Sequence, residues 1–196
     1  MESTNKKLLK YKILIAILII IAIVIIGIIA KKQYNDYIYD KKNADIVEQF
    51  HEAESDSDEE IELELEGYKV IGIIEIPEIE LEYPILEKTT QETMNISISR
   101  FYGGDINGYG NVSLAGHNNY NGTMFGKNKY LEIGDKVYIT DMKMQTIEYE
   151  IYDIFSTDPN DTSILETEDE TIREITLITC KNGRSERLII KAKEVV

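Results

Sequence analysis

The chain has a single cysteine, Cys180, and only two histidines, His51 and His117, among its 196 residues. One cysteine cannot make an internal disulfide. If the chain is exported, an odd cysteine implies an intermolecular bridge or a reactive thiol, against the alternative of a buried structural side chain. Two histidines leave a short choice for any chemistry that needs an imidazole. Basic residues are also scarce: beyond residue 12, 17 Lys and Arg stand against 35 Asp and Glu. A domain of that sign is a poor nucleic-acid binder, because phosphate attracts basic surfaces, and its charge most simply confers solubility. From residue 67 onward long helical periodicity is missing, and no internal repeat is present.

What the chain does have is an uninterrupted apolar run. Residues 13–30, "ILIAILIIIAIVIIGIIA", contain no charge. As a helix they would reach roughly 27 Å, close to the ~30 Å of a bilayer's hydrocarbon core. The run is apolar on every side, whereas a core helix shows a polar stripe. It is too long for an ordinary signal sequence, and "IIAKK" lacks a small-x-small cleavage site. These features predict an uncleaved single-span membrane anchor at 13–30, preceded by a cytoplasmic tail at 1–12. Lys6, Lys7, Lys10 and Lys12, against the one acid Glu2, favour the N-terminus inside and the acidic remainder outside.

Residues 31–66 read as a stalk. Its early part, "KKQYNDYIYDKKNADIVEQF", could carry helix, although Tyr34, Ile38, Asp45 and Phe50 make no clean face, and "HEAESDSDEEIELELEG" is a charge run with too little apolar surface to order itself. Asp56, Asp58 and Glu60 loosely suggest a calcium loop, but Ile61 stands where that loop requires glycine. The texture changes at Gly67. "YKVIGIIEI" and "IELEYPILE" are β-branched runs, followed by strand patterns at 111–116, 135–140, 146–155, 174–180 and 187–193. Turn clusters such as "GGDINGYGN" and "DPNDTS" separate them. Some seven or eight short strands in about 130 residues predict an all-β domain at 67–196, a closed or nearly closed barrel or sandwich.

The candidate chemistry lies in two of these segments. A cysteine nucleophile needs a base and donors for the oxyanion that forms on attack. His51 falls in the acidic stretch, whereas His117 follows a strand in "SLAGHNN", where side chains become available to substrate. In "EITLITC", Thr176, Ile178 and Cys180 share one face by alternation. If residues 181–186 close a hairpin, Cys180 and Arg187 are opposed, with Cβ atoms ~4.5–5.5 Å apart. A fixed cation beside the thiol would favour negative charge on sulfur or on a substrate oxygen. Arg184, inside the turn, is the rival cation.

These segments together resemble the sortases, the cell-wall transpeptidases of Gram-positive bacteria. "IGIIEIPEIELEYPIL" is similar to the family's opening strand pair, "SLAGHNN" to its histidine segment, "LEIGDKVYIT" to a middle strand, and "TLITC" followed by "RLII" to its Cys and Arg signature. The resemblance implies an eight-stranded β-barrel with short helices in its loops and a catalytic set of His117, Cys180 and Arg187. It also implies that Ala115, Thr176, Ile178 and Thr179 line the substrate groove. The implied reaction cleaves an LPxTG-like signal between Thr and Gly and transfers the surface protein to a peptidoglycan-precursor amine. A cysteine peptidase with water as acceptor, or a tethered non-enzymatic β-domain binding a wall component, are the alternatives. Seven residues from cysteine to arginine look more like class D than class B. Asp158-Pro159 lies mid-domain and so is no class C lid. No cofactor or metal is expected: Glu166, Glu168, Asp169 and Glu170 could serve calcium as in some relatives, but read better as a solvated charge run. A monomer is expected.

Overall fold

The computed structural model describes residues 2–54, 62–167 and 169–195. The chain divides into two compact units, one ending at Ile38 and the other spanning Tyr39–Val196. The first belongs to helix α1, Glu2–Glu54, which contains the apolar run and is long and apolar enough to cross a membrane.

The second unit is built on nine strands: β1 (Glu64–Leu65), β2 (Tyr68–Ile76), β3 (Leu81–Leu86), β4 (Ile98–Tyr102), β5 (Gly110–Ala115), β6 (Lys136–Asp141), β7 (Thr146–Thr157), β8 (Arg173–Lys181) and β9 (Glu186–Glu194). Their order is β1-β2-β3-β4-β5-β8-β9-β7-β6, and β6 pairs back onto β2. Strands β2 to β9 thus close an eight-stranded barrel, with β1 paired only to β2. Closure leaves no free edge, and alternation sends every second side chain inward. Ile74, Ile76, Ile85, Leu114, Val137, Ile139, Ile151, Ile175, Leu177 and Ile190 fill the interior. Two junctions are parallel, β3–β4 and β5–β8. The second sets the geometry of the site, because it lays two chain segments side by side and lets both run off the barrel at the same rim.

The stretch expected as a stalk at 31–66 has the helix allowed in its early part but differs in not being a mere spacer. It stays helical through Glu54, residues 39–54 belong to the barrel unit, and Glu64–Leu65 forms β1. Residues 55–61, with most of the acidic run, lie outside the described residues. The physical reason is a face built from Asn43, Ile46, Val47 and Phe50, which follow the i, i+3, i+4, i+7 spacing of an amphipathic helix. All four are buried, and the three apolar ones cluster with Leu65, Val70, Ile73, Leu86 and Ile96 on the outside of the barrel. Polar bonds finish the docking. Asn43 Nδ2 donates to the Ile96 carbonyl at 2.8 Å, in the short helix α2 (Thr93–Ile96), and the Tyr83 hydroxyl donates to the Asp40 carboxylate. Burial, together with that bond, raises the Tyr83 phenol well above its ordinary range.

Strand β4 was not anticipated. Its neighbourhood, "NISISRFY", is broken by serines, yet Ser97 and Ser99 are fully buried. Ser97 Oγ donates to the Pro84 carbonyl at 2.7 Å, and Ser99 Oγ meets Thr89 Oγ1 at 2.8 Å. Satisfied hydroxyls can occupy buried positions that hydropathy alone would assign to the surface.

Candidate active site

Strands β8 and β9 run antiparallel, with Ile178 opposite Ile189, Cys180 opposite Arg187, and Lys181 opposite Glu186. The turn between them is tight. Asn182, Gly183 and Arg184 all adopt positive φ, at 48°, 66° and 87°. The hairpin register drawn from the sequence is therefore the one found, with pairing extended to residues 181 and 186. Arg187 is half-buried on the strand, whereas Arg184 is exposed in the turn. Arg187 Nη1 donates to the main-chain carbonyls of Arg184 at 3.2 Å and Glu186 at 3.3 Å, so the turn itself steadies the guanidinium.

On the other side of β8 lies β5. The parallel ladder aligns Val112 with Ile175, Leu114 with Leu177, and Ala115 with Ile178. Val112, Leu114, Ile175 and Leu177 point into the core, which puts Ser113, Ala115, Thr176, Ile178 and Cys180 on the outer face. His117 and Cys180 each stand two residues beyond the last aligned pair, Ala115 and Ile178, at the rim where the ladder ends. His117, Cys180 and Arg187 therefore come from neighbouring strand ends, in the order β5, β8, β9. Cys180 is a free thiol and partly exposed.

Gly116, before His117, is required by close approach. A Cβ there would lie 2.8 Å from Phe125 Cδ2 and 3.2 Å from Ile98 Cγ1. Any side chain at this position would have to displace the packed Phe125 ring.

Below the cysteine, Ile178 and Ile189 form an apolar floor with Ile164, and Phe155 and Leu165 pack against it. Ile164 and Leu165 belong to a 3₁₀ turn, Ser163–Leu165, in the long connection between β7 and β8. That turn is fastened by side chains: Asn111 Nδ2 donates to the carbonyls of Ile164 at 3.2 Å and Leu165 at 3.1 Å. Lys191 Nζ donates to the Glu166 carbonyl at 3.3 Å. Within the connection, bonds from the Ser163 hydroxyl, the Thr157 hydroxyl and the Ser163 main-chain N–H hold the Asp161 carboxyl below the usual carboxylate range.

The groove residues expected from the sequence divide. Ala115 and Ile178 are neighbours on the cysteine's face. Thr176 shares that face but is fully buried, and its hydroxyl donates to Asn111 Oδ1 at 2.9 Å, so it braces the loop. Thr179 is on the opposite face, 3% exposed, and its hydroxyl donates to the Gly116 carbonyl at 2.7 Å. The hydroxyls of Thr176 and Thr179 are thus committed to the scaffold. Their hydroxyls close buried bonds that alternation patterns do not reveal. His51 stands apart, on the docked helix, with Nε2 2.5 Å from Glu82 Oε1.

Of the acids considered for calcium, Glu168 lies outside the described residues. The Asp169 carboxylate accepts from the Thr171 N–H at 2.8 Å and hydroxyl at 2.6 Å, closing a local turn. Among the described residues no three His, Cys, Asp or Glu side chains converge as a metal site. Sequence reasoning passed over Asn111 and Asn118. The one available signal for Asn111 was an amide inside the β-branched run "NVSLAG".

Residues 74–195 match the family model described as the sortase domain. Sortase A of Bacillus anthracis is 30% identical in an alignment 187 positions long that covers 87% of this chain and 86% of that protein. Among solved structures, a sortase D5 transpeptidase from Clostridium perfringens aligns with a TM-score of 0.63 at 29% identity, over 81% of this chain and 99% of that one. Sortase A from Corynebacterium diphtheriae aligns at 0.61 and 32% identity, over 66% of this chain and 62% of that one. Relatives named sortase A and sortase D both match, so the likeness reaches the family and not a single class. A closed eight-stranded barrel, a partly exposed cysteine facing an arginine across two strands and this family match together lead to one conclusion: the chain belongs to the sortase family, the cysteine transpeptidases that anchor proteins to the Gram-positive cell wall.

Proposed function

We propose that Cys180 is the nucleophile of a transpeptidation that joins an LPxTG-type surface protein to a peptidoglycan-precursor amine, with His117 and Arg187 as its partners. The observation that supports this most is the register, which brings His117, Cys180 and Arg187 to one rim of the barrel from three adjacent strands. In the first half-reaction the Cys180 sulfur attacks the Thr carbonyl of the Thr–Gly bond. Charge develops on the carbonyl oxygen, and the Arg187 guanidinium stabilises it there or holds the adjacent substrate backbone. His117 protonates the departing glycine nitrogen as the C–N bond breaks, leaving a thioester on Cys180. In the second half-reaction the acceptor amine attacks the thioester, His117 takes its proton, and the thiolate departs. Ala115 and Ile178 supply apolar groove surface below the reacting sulfur.

The apolar helix, long and apolar enough to span a bilayer, supports a reading in which this chemistry works at the cell membrane, with residues 1–12 in the cytoplasm and the barrel outside. The basic first segment supports that orientation. The enzyme works as a monomer without a cofactor.

The test is the full-length chain in detergent micelles, incubated with a panel of LPxTG-like peptides with and without an amine acceptor, and read by mass spectrometry. Transpeptidation yields an amide carrying the added amine. If only cleaved acid forms at every acceptor concentration, the protein is a peptidase. If neither product forms in folded protein, the catalytic reading fails.

A further inference from the structure

We propose that Asn118 is a positioning residue for His117, its side-chain amide replacing the next rung of the β5–β8 ladder. This inference rests on the reading of Cys180 and His117 as the reacting pair. In a parallel ladder, bonds from one strand to its neighbour recur every second residue. The last such bond runs from the Gly116 N–H to the Ile178 carbonyl at 3.2 Å. The following rung would run from the main-chain N–H of residue 118 to the Cys180 carbonyl. There the chain is turning off the barrel into a loop, and the Asn118 side chain supplies the bond instead: Nδ2 donates to the Cys180 carbonyl at 2.8 Å.

The substitution has a consequence for the histidine. A main-chain rung would keep residues 117 and 118 in extended sheet geometry. A side-chain rung holds the distance to β8 while freeing the backbone to bend. His117 thus sits between two attachments to β8, with the Thr179 hydroxyl on the Gly116 carbonyl as a third. Its own carbonyl is fixed by the Phe125 N–H at 3.0 Å, and Asn118 closes the loop behind it by bridging to Met124. The Asn118 bond ends on the peptide of the nucleophile itself, so it ties the imidazole-bearing segment directly to the sulfur-bearing residue. Chemistry limits the choice here. The group must donate to a carbonyl across one methylene, which asparagine does and aspartate, acceptor-only when ionised, cannot. Asn118 is also exposed, so replacing it opens no cavity.

The experiment compares the full-length chain with Asn118→Leu, which keeps the size and loses the donor, and Asn118→Asp, which keeps the shape and presents an acceptor. Single-turnover acylation at saturating LPxTG-type peptide should slow by about tenfold in Asn118→Leu and at least as much in Asn118→Asp, the scale of one lost positioning bond. KM should change by less than about twofold, since peptide does not bind this residue. The melting midpoint should stay within about 4 °C in both variants. Wild-type acylation rates in both variants, or a loss confined to KM, would overturn the proposal while leaving Cys180 as nucleophile.

Hydrogen exchange of residues 115–119 tests the rung without any substrate. Faster exchange confined to this segment in Asn118→Leu supports the proposal, and unchanged exchange overturns it. A wild-type chain that acylates with no peptide would refute the transpeptidase reading, and the exchange comparison would still decide whether Asn118 holds the histidine segment.

Discussion

The two flanks of Cys180 are built by different means. On the β9 side, Arg187 is set by main-chain pairing: eight consecutive register pairs, from Glu174–Lys193 to Lys181–Glu186, carry it to the cysteine. On the β5 side the ladder stops at Ala115, and His117 is held beyond it by Thr179, Asn118 and the Phe125 N–H. Backbone register is insensitive to most side-chain changes, whereas a side-chain fastening is lost with one substitution. The cation should therefore tolerate changes around it, and the histidine should not. The arrangement suits the roles proposed for them. A charge that stabilises an oxyanion works best when preorganised. A group that gives and takes a proton needs a reach the flat ladder would deny it.

The largest expected effects fall on the reacting groups. Cys180→Ala should abolish acyl-enzyme formation outright. His117→Ala should keep the thiol but accumulate little or no thioester, because glycine must then leave as an unprotonated amide anion. Both are read by intact mass after peptide incubation. Arg187→Ala should lose two or more orders of magnitude in kcat/KM, about the scale of one oxyanion donor. Arg187→Lys should remain poor, since an ammonium lacks the planar fork. Arg184→Ala should lose far less. Equal losses at the two arginines would break the claim that ladder register selects the cation.

Thr179→Val and Thr176→Val sharpen the comparison, because each removes a buried hydroxyl of the scaffold. Thr179→Val leaves the Gly116 carbonyl without its donor and should cost about 1–3 kcal/mol of stability, with kcat falling more than KM rises. Thr176→Val unfastens Asn111 and should instead raise KM, through the 3₁₀ turn at Ser163–Leu165. Thermal melts and steady-state kinetics on both variants separate these outcomes.

Phe50→Ala tests a contact remote in sequence from the reacting pair. Phe50 is 1% exposed on the docked helix, and its truncation should cost about 3–5 kcal/mol of stability. Kcat measured well below the melting transition should be unchanged. The smallest effect is expected from metal. Asn111 and Lys191 already fasten the β7–β8 connection, so calcium and a chelator should alter the rate by less than about twofold.

What could be read from the sequence follows the same division. Alternation in "EITLITC" and a counted turn were enough to oppose Cys180 and Arg187, because backbone pairing obeys a period that side chains report. Most barrel strands announced themselves by β-branched runs for the same reason. Strand β4 did not, since its buried serines look like surface residues until their acceptors are known. A helix was allowed over the early stalk, but its docking was missed because the buried face begins at Asn43, a polar residue whose amide bonds to the Tyr39 and Ile96 carbonyls. Thr176 and Thr179 were assigned to the groove by resemblance, and their hydroxyls turn out to be committed to Asn111 and Gly116. In each of these cases a long-range hydrogen bond decides the residue's place, and no local pattern encodes its partner.

The most direct test of the account is the intact mass of the native, full-length protein after incubation with an LPxTG-type peptide and no amine acceptor, with peptide mapping of the adduct. The account predicts one acyl group, on Cys180, that an added amine removes as a new amide. An unmodified Cys180 across a broad peptide panel, in protein shown to be folded, would contradict it.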